Sequence, residues 1–496
     1  MIDVLSLDNM IKSDKYTCEN VINSKELMYN AGYKIYNAYD YKGKIGIVCG
    51  TGNNAGDGYV LASLLKKDNK DVKLLLIKNN FSVDSKYYFD LCLKSNISYE
   101  IIDENTSFDY DILVDSIFGT GFKGKVENPY DIIFEKYNNS NAFKISVDIN
   151  SGLNGETGIG DKIIKSDLTL AISHYKPGHF LNMAKDYIKD LKVLDIGIKP
   201  LDNPYHLIEL NDFKGIINDR LNYSNKGDYG YTTLIGGSLL YSGAIKLSSL
   251  SSIALRMGCG VSIIACPKDI KDYVLPYVLE STIYPLSSND GFVSLNRNEL
   301  DYLINRTKSI TIGMGLGSND DTYNVLEYII LNYNKTLIID ADGLNLLSKN
   351  IDLLNKTKAK IILTPHIKEF SRLIKKDINE ILDDEINLAK DFARKYDVIL
   401  LLKGPTTIIT DGKNVNLVNK GTSGMATAGS GDVLSGIISG LSGYMDDLLM
   451  MTSLASYING LAGEMASKAN SNITMVASDT INNIKLAYEY IIKNIK

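Results

Sequence analysis

The feature that most constrains this chain is a recurring unit. A short apolar run, rich in β-branched residues, ends in glycine or a polar residue and gives way to a helical stretch. KIGIVCG (44–50), VKLLLIK (72–78), DILVDSIF (111–118), FKISVDIN (143–150) and DLTLAIS (167–173) form a first series. YTTLIGG (231–237), VSIIACP (261–267), SITIGMG (309–315), TLIIDAD (336–342), AKIILTPH (359–366) and DVILLLKG (397–404) form a second. Continuous apolar runs alternating with helices predict parallel sheets covered on both faces. The chain is 496 residues long, more than one ordinary core serves. Between the series, residues 196–222 carry Pro200, Pro204 and several turn-forming Asn and Asp residues. The expectation is two doubly wound α/β domains, residues 1–212 and 213–496. Upstream of the first strand, Leu27, Ala31, Ile35 and Ala38 share one stripe of a helix over 24–39, with Ser24 as its N-cap.

Composition narrows the function. The formal net charge is −6, which argues against a general nucleic-acid binder. The five cysteines are scattered and none forms a C-x-x-C pair, so neither a disulfide framework nor a structural zinc site is expected. The four histidines lack metal-ligand spacing. No signal peptide is read at residues 1–10 and no apolar run has the length of a membrane span, so a cytoplasmic protein without a membrane partner is expected.

In the first half, GTGNNAGDG (50–58) lies between a strand and a helix, where backbone N–H groups suit an anion. Gly50-x-Gly52-x-x-Ala55 satisfies a loose dinucleotide fingerprint, but the next strand end, LLLIKNN, lacks the ribose-binding acid. An ordinary NAD dehydrogenase is therefore disfavoured. Gly119 and Gly124-Lys125 have P-loop spacing, yet Val126 stands where Ser or Thr should meet magnesium. Asp115, Asp148 and Ser151 occupy other strand ends beside glycines. Together they suggest a carboxylate base and oxygen ligands for a hard cation.

In the second half, GTSGMATAGSGDVLSGIISGL (421–441) runs small residues into Gly429-Ser430-Gly431-Asp432 and a helix. Free N–H groups beside a carboxylate suit phosphoryl transfer: the former stabilise phosphoryl charge and the latter takes a proton from the attacking hydroxyl. Gly436 and Gly440 are read as close helix packing. His366, after Pro365 at a strand end, is a candidate substrate contact. Lys403, beside Gly404, is a candidate for nucleotide phosphate.

GTGNNAGDGY, VDSIFGTGFKG, VDINSGLNGETG and the upstream LMYNAG resemble the epimerase domain of NAD(P)H-hydrate repair proteins, a Rossmann-like fold. The resemblance implies that Asn53, Asn54, Ala55, Gly56, Asp57, Gly119, Thr120, Gly121, Phe122, Lys123, Gly124 and Lys125 hold the hydrated dinucleotide. It also implies that Asn54, Asp115 and Ser151 ligate potassium, and that Asp148 contacts the hydrated ring and does acid–base work. The family usually has two glycines where this chain has Ala55-Gly56, and proline where it has Asn150, which leaves the turn before Ser151 looser.

The second half resembles the ribokinase-like superfamily, and within it the ADP-dependent NAD(P)H-hydrate dehydratases, through the 421–441 segment with DADGLN (340–345), TPHIKEF (364–370) and KGPTTII (403–409). The implied contacts to hydrated dinucleotide are Ala244, Gly317, His366 and Asp432. The implied ADP contacts are Lys403, Gly404, Pro405, Thr406 and Thr407, with Thr422, Ser423, Gly424, Met425, Ala426, Thr427, Ala428, Gly429, Ser430 and Gly431, and magnesium accompanies the nucleotide. The implied function is repair of hydrated NADH and NADPH, with Asp148 and Asp432 as the catalytic residues and a homo-oligomeric assembly. The enzymatic alternative is a small-molecule kinase of a sugar or vitamin precursor fused to a dinucleotide-binding domain. A further reading makes the N-terminal domain a binding module without catalysis.

Overall fold

The computed structural model describes residues 1–202, 204–217, 220–252 and 257–495. They form two compact units, Asp3–Tyr205 and His206–Lys496, the latter including Met1 and Ile2. The expected boundary lay after residue 212. Residues 206–208 instead bond along the strand Val415–Val418: His206 and Leu207 align with Asn416 and Leu417, and the Ile208 N–H donates to Leu417 O at 2.9 Å.

The N-terminal unit is a seven-stranded sheet, parallel throughout. Its order is Ser98–Ile101, Asp71–Leu76, Lys44–Cys49, Ile112–Ser116, Phe143–Val147, Ser166–Ile172, Ile188–Leu194. The central strands are apolar and buried, as their sequences predict. The two edge strands, Ser98–Ile101 and Ile188–Leu194, escaped sequence analysis because most of their residues stay accessible and their pattern is polar. The helix Ser24–Ala38 buries Leu27, Ala31 and Ile35. Its N-cap is Asn23, not Ser24: the Asn23 side chain accepts the Glu26 N–H at 3.0 Å. A preceding helix, Leu7–Asn20, was not anticipated. Val126 is a core residue packed near Phe134 and Ile117, and no helix follows it before Tyr130, so the P-loop likeness has no structural counterpart.

The C-terminal unit has seven parallel strands in the order Thr282–Leu286, Val261–Pro267, Tyr231–Ile235, Ser309–Ile312, Thr336–Ile339, Lys360–Leu363, Val398–Leu402. An antiparallel hairpin, Thr407–Thr410 and Val415–Val418, extends it. Helix Ser430–Ser442 lies close against helix Ser242–Ser252: a Cβ on Gly436 would lie 2.2 Å from Ser248 O and one on Gly440 2.5 Å from Met257 Cβ, so Gly436 and Gly440 are packing residues, as expected. In each unit the strand order reverses once near the centre, between Lys44–Cys49 and Ile112–Ser116 and between Tyr231–Ile235 and Ser309–Ile312. Clefts open outside the carboxyl ends of strands at such reversals. No helix among the described residues is long and apolar enough to cross a membrane.

Candidate active sites of the two units

At the first reversal the chain leaves strand Lys44–Cys49 through Gly50. A Cβ there would lie 2.2 Å from Ile117 O, so only glycine lets the loop pass the neighbouring strand end. Helix Asn53–Lys67 then begins without a side-chain cap, and its first turn faces a cavity of about 500 Å³. Asn53, Asn54, Asp57, Gly119, Thr120, Gly121, Phe122 and Asp148 line it together. Ala55 and Gly56 do not. Ala55 belongs to the core, and a Cβ on Gly56 would lie 2.3 Å from Met28 Sδ, so both serve packing. Lys123, Gly124 and Lys125 are exposed and lie outside the lining.

Asp148 has a left-handed backbone, φ 67°. Its Oδ2 accepts the Thr120 N–H at 3.0 Å and its Oδ1 meets the Lys176 ammonium at 2.6 Å. Burial alone would raise the carboxyl; Lys176 and the N–H outweigh it and hold Asp148 below the usual carboxylate range. Lys176 is itself buried and also donates to Ile172 O at 2.7 Å. His179 braces the pair. Its Nδ1 accepts the Lys176 N–H, so its other ring nitrogen donates to Asp148 O at 2.7 Å, and burial depresses the imidazole to about 4. Asp57 and Asp14 also line the cavity, and both are raised, first by burial and then by the Asp148 charge. Sequence analysis missed Lys176, His179 and Asp14 as site residues. The lysine sits beside Pro177 in a turn without a glycine-rich motif, and Asp14 lies on the helix that escaped notice.

Behind the cavity, Asp115 is fully buried. It accepts from the Ser151 hydroxyl at 2.6 Å, the Ser151 N–H at 2.9 Å, the Ile117 N–H at 3.1 Å and the Ser146 hydroxyl at 3.1 Å. Burial pushes it up to about 6 against those donors. No lysine or arginine pairs with it among the described residues. Asn54 points its amide nitrogen at Val147 O, 3.4 Å away. Asp115 and Ser151 are thus joined, and Asn54 approaches from the helix across Gly119. Asn150 does not loosen the turn. Its buried side chain donates to Ile164 O at 2.8 Å, Tyr187 O at 3.1 Å and Ser166 Oγ at 3.1 Å, and accepts from Thr169 Oγ1 at 2.5 Å. Those bonds fix what proline's ring fixes by covalent constraint.

In the C-terminal unit, Gly429 takes φ 91° and turns the chain into helix Ser430–Ser442, with Asp432 in the first turn. The Ser430 hydroxyl is buried and lacks a hydrogen-bond partner among the described residues, which leaves it for a ligand. Burial, reinforced by the Asp340 charge, pushes Asp432 up to about 7. Lys403 was expected to reach phosphate. Its ammonium contacts Asp340 at 2.9 Å and Glu369 at 3.8 Å. Burial disfavours its charge, but the two carboxylates overcome this and raise it. Asp340 is buried yet held low by Lys403 and by the Ser435 hydroxyl that donates to it.

Of the expected substrate contacts, His366 adjoins this network through Glu369. His366 caps helix Ile367–Ile374, its Nδ1 accepting the Lys368 and Glu369 N–H groups at 3.1 and 3.2 Å, while Glu369 accepts the His366 N–H at 2.9 Å. The Gly317 N–H donates to Asp342 at 2.9 Å. Ala244 packs where a Cβ on Gly315 would lie 2.9 Å away. Of the expected nucleotide contacts, Thr406 donates to Asn419 at 2.8 Å and Thr407 opens the hairpin strand. Gly404 and Pro405 form the bend between them and Lys403. Thr422 bonds Asn472, and Ser423, Gly424 and Met425 form a short 3-10 turn. Ala426, Thr427 and Ala428 lead from it to Gly429, and Gly431 stands beside Lys403. Asp340 and Glu369 lay inside segments singled out by sequence, but their tie to Lys403 joins strand ends distant in the chain and had no local signal.

Both halves of the chain are similar to known proteins. A family model described as NAD(P)H-hydrate dehydratase matches residues 232–486, and one described as YjeF-related protein N-terminus matches residues 24–178. A bifunctional NAD(P)H-hydrate repair enzyme of Dictyoglomus turgidum is 31% identical over 91% of this chain and 90% of its own length. Another, of Archaeoglobus fulgidus, is 32% identical over 86% and 85%. The C-terminal unit shares its fold with the crystal structure of the ADP/ATP-dependent NAD(P)H-hydrate dehydratase of Bacillus subtilis, with 24% identity, a TM-score of 0.51, and coverage of 58% of this chain and 99% of that one. The matches span both units, and the chain belongs to the bifunctional NAD(P)H-hydrate repair enzyme family.

Proposed function

We propose that the N-terminal unit interconverts the R and S forms of hydrated NADH and NADPH, and that the C-terminal unit dehydrates the S form at the expense of ADP. The observation that carries this reading is the pair of partly buried aspartates. Asp148 lines the cavity at the strand-order reversal of its unit and is ionised, and Asp432 stands in the first turn of helix Ser430–Ser442 near neutrality. A small-molecule kinase would account for Asp432 alone. It gives no role to a second cavity with its own partly buried base, and a binding module needs no Asp148–Lys176 pair.

Hydration of the reduced ring puts a hydroxyl on the carbon beside the ring nitrogen. In the N-terminal cavity Asp148, ionised, takes the hydroxyl proton as the bond from that carbon to the ring nitrogen breaks and a carbonyl forms, the nitrogen's electron pair spreading into the conjugated carboxamide. Reclosure on the other face returns the proton, and Asn53, Asn54 and the 119–122 loop hold the dinucleotide. Asp115, Ser151 and Asn54 offer carboxylate, hydroxyl and amide oxygens, and the buried Asp115 lacks a counter-charge, a set that fits potassium. When bound, the ion neutralises that carboxylate and stiffens the strand ends beneath the substrate.

In the C-terminal unit Asp432 takes the proton of the substrate hydroxyl. The oxygen attacks the terminal phosphorus of ADP and AMP leaves. The C–O bond then breaks as the ring nitrogen's lone pair pushes phosphate out, and loss of a proton from the neighbouring carbon restores NADH or NADPH. Phosphorylation turns a poor leaving group into a good one. Ser430, Gly431 and the first turn of helix Ser430–Ser442 receive phosphate oxygens, with the segment 422–431 and residues 403–407 around the nucleotide. Magnesium would accompany the nucleotide phosphates and screen their charge. Cytoplasmic residence and self-association complete this reading.

Absorbance at 340 nm on mixed hydrate epimers, with ADP, magnesium and potassium, tests it. Full recovery of NADH, cut to one epimer's share in Asp148→Ala, is the expected result. No recovery with ADP or ATP contradicts it. Phosphate retained on the acceptor would mean a kinase.

A further inference from the structure

Asp432 has neither a hydrogen bond nor an ion pair among the described residues, although a partly buried ammonium stands beside its turn. A Cβ on Gly431 would lie 3.4 Å from Lys403 Nζ. That nitrogen nevertheless faces Asp340, at 2.9 Å, with Glu369 at 3.8 Å. Asp340 is locked in turn to the helix of Asp432: its second oxygen accepts the hydroxyl of Ser435, one turn further along. In the N-terminal unit the lysine is held toward the aspartate, with Ile172 O as its second acceptor. Lys176 closes on Asp148 at 2.6 Å.

We propose that Asp340 is a positioning residue of the dehydratase site, holding the Lys403 ammonium off Asp432 so that Asp432 keeps the proton affinity a base needs. The inference rests on the reading of Asp432 as the base. A carboxylate in contact with a lysine is stabilised as the anion and is a weaker proton acceptor. The charged groups acting on Asp432 are Asp340, Lys403 and Asp342, and Glu369 shares the lysine with Asp340. Removing Asp340 takes away an anion and frees a cation, and both changes act on Asp432 in the same direction.

The test uses the full chain, the S epimer alone, saturating ADP and magnesium, and the pH dependence of kcat with KM for ADP. Asp340→Asn is expected to move the acid limb of the dehydratase down by about one pH unit or more. It also lowers the plateau kcat about tenfold, because the base is weaker. KM for ADP changes less than about twofold, since the hold on Lys403 concerns the base rather than the nucleotide. Lys403→Met moves the limb up, and the double variant returns it to near the wild-type position. Ser435→Ala, which loosens the same hold without removing a charge, gives a smaller downward shift and decides the matter with Lys403→Met should Asp340→Asn not fold. An unmoved or rising limb in Asp340→Asn overturns the proposal. So do variants that raise KM for ADP and leave the limb in place, since Lys403 would then be a phosphate ligand only. Absence of dehydration in the wild-type chain overturns the functional reading instead, before any variant is compared.

Discussion

Each unit pairs an aspartate and a lysine at the carboxyl ends of its strands, Asp148 with Lys176 and Asp340 with Lys403, but the second unit adds Asp432 on a helix beside its pair. In the N-terminal unit Lys176 touches Asp148 and keeps it ionised. In the C-terminal unit Lys403 is drawn to Asp340, and Asp432 is left without a partner near neutrality. Burial is common to both, so the sign of the outcome is set by where the cation goes. The chemistry differs accordingly. Moving a hydroxyl proton while the ring opens and recloses at the hydroxyl-bearing carbon is served by a permanently ionised group held in place. Deprotonating a hydroxyl during phosphoryl transfer is served by a carboxylate with higher proton affinity.

The comparison breaks most visibly at the bases themselves. Asp432→Asn should lower dehydration of the S epimer by about 10²–10⁴-fold, read as NADH recovered at 340 nm, while interconversion of the epimers, followed by chromatography, continues. Next in size is Lys176→Met, which leaves Asp148 buried without its cation. Breaking a buried pair costs about 3–5 kcal/mol, so urea unfolding of the N-terminal unit should report a loss of that order. The same variant should raise the Asp148 carboxyl and move the acid limb of epimerisation up.

A smaller effect sharpens the contrast through stability. The folded state raises Asp432 above its unfolded value, so it binds more protons than the unfolded chain between about pH 4 and 7. Its contribution to stability therefore falls as pH rises through that window. Asp432→Asn should be more stable than wild type by about 1–3 kcal/mol at pH 8, with the difference gone near pH 4, as measured by denaturant melts at both pH values. Asp148 has the reverse sign: its depressed carboxyl stabilises the fold above its unfolded value, and that is lost as pH falls through the folded one. The smallest effect concerns the cation pocket. Ser146→Ala removes one hydroxyl from Asp115, and a thermal melt should show a loss of about 1 kcal/mol.

Sequence made the centre of each sheet legible and the margins not. Strands such as Lys44–Cys49 and Thr336–Ile339 are buried on both faces and read as continuous apolar runs. Ser98–Ile101 and Ile188–Leu194 lie at sheet edges, where burial no longer dictates an apolar run, and the hairpin strands after Leu402, though buried, are only four residues long and carry Thr and Asn. Glycine-rich turns announced the sites because close backbone approach leaves a local trace, as at Gly50 and Gly429. Charge pairing left none. Lys176 and Asp148 are 28 residues apart, and Lys403 and Asp340 are 63 apart. Whether a lysine depresses an aspartate or is kept from it is decided by strand ends that meet only in the folded sheet.

The most direct test of the account is the pH dependence of both activities in one preparation of the full chain. The account predicts a dehydratase rate that falls about tenfold per unit below about pH 7, while epimerisation stays flat to about pH 5. A common acid limb for the two, or an epimerase that loses activity at higher pH than the dehydratase, would contradict it.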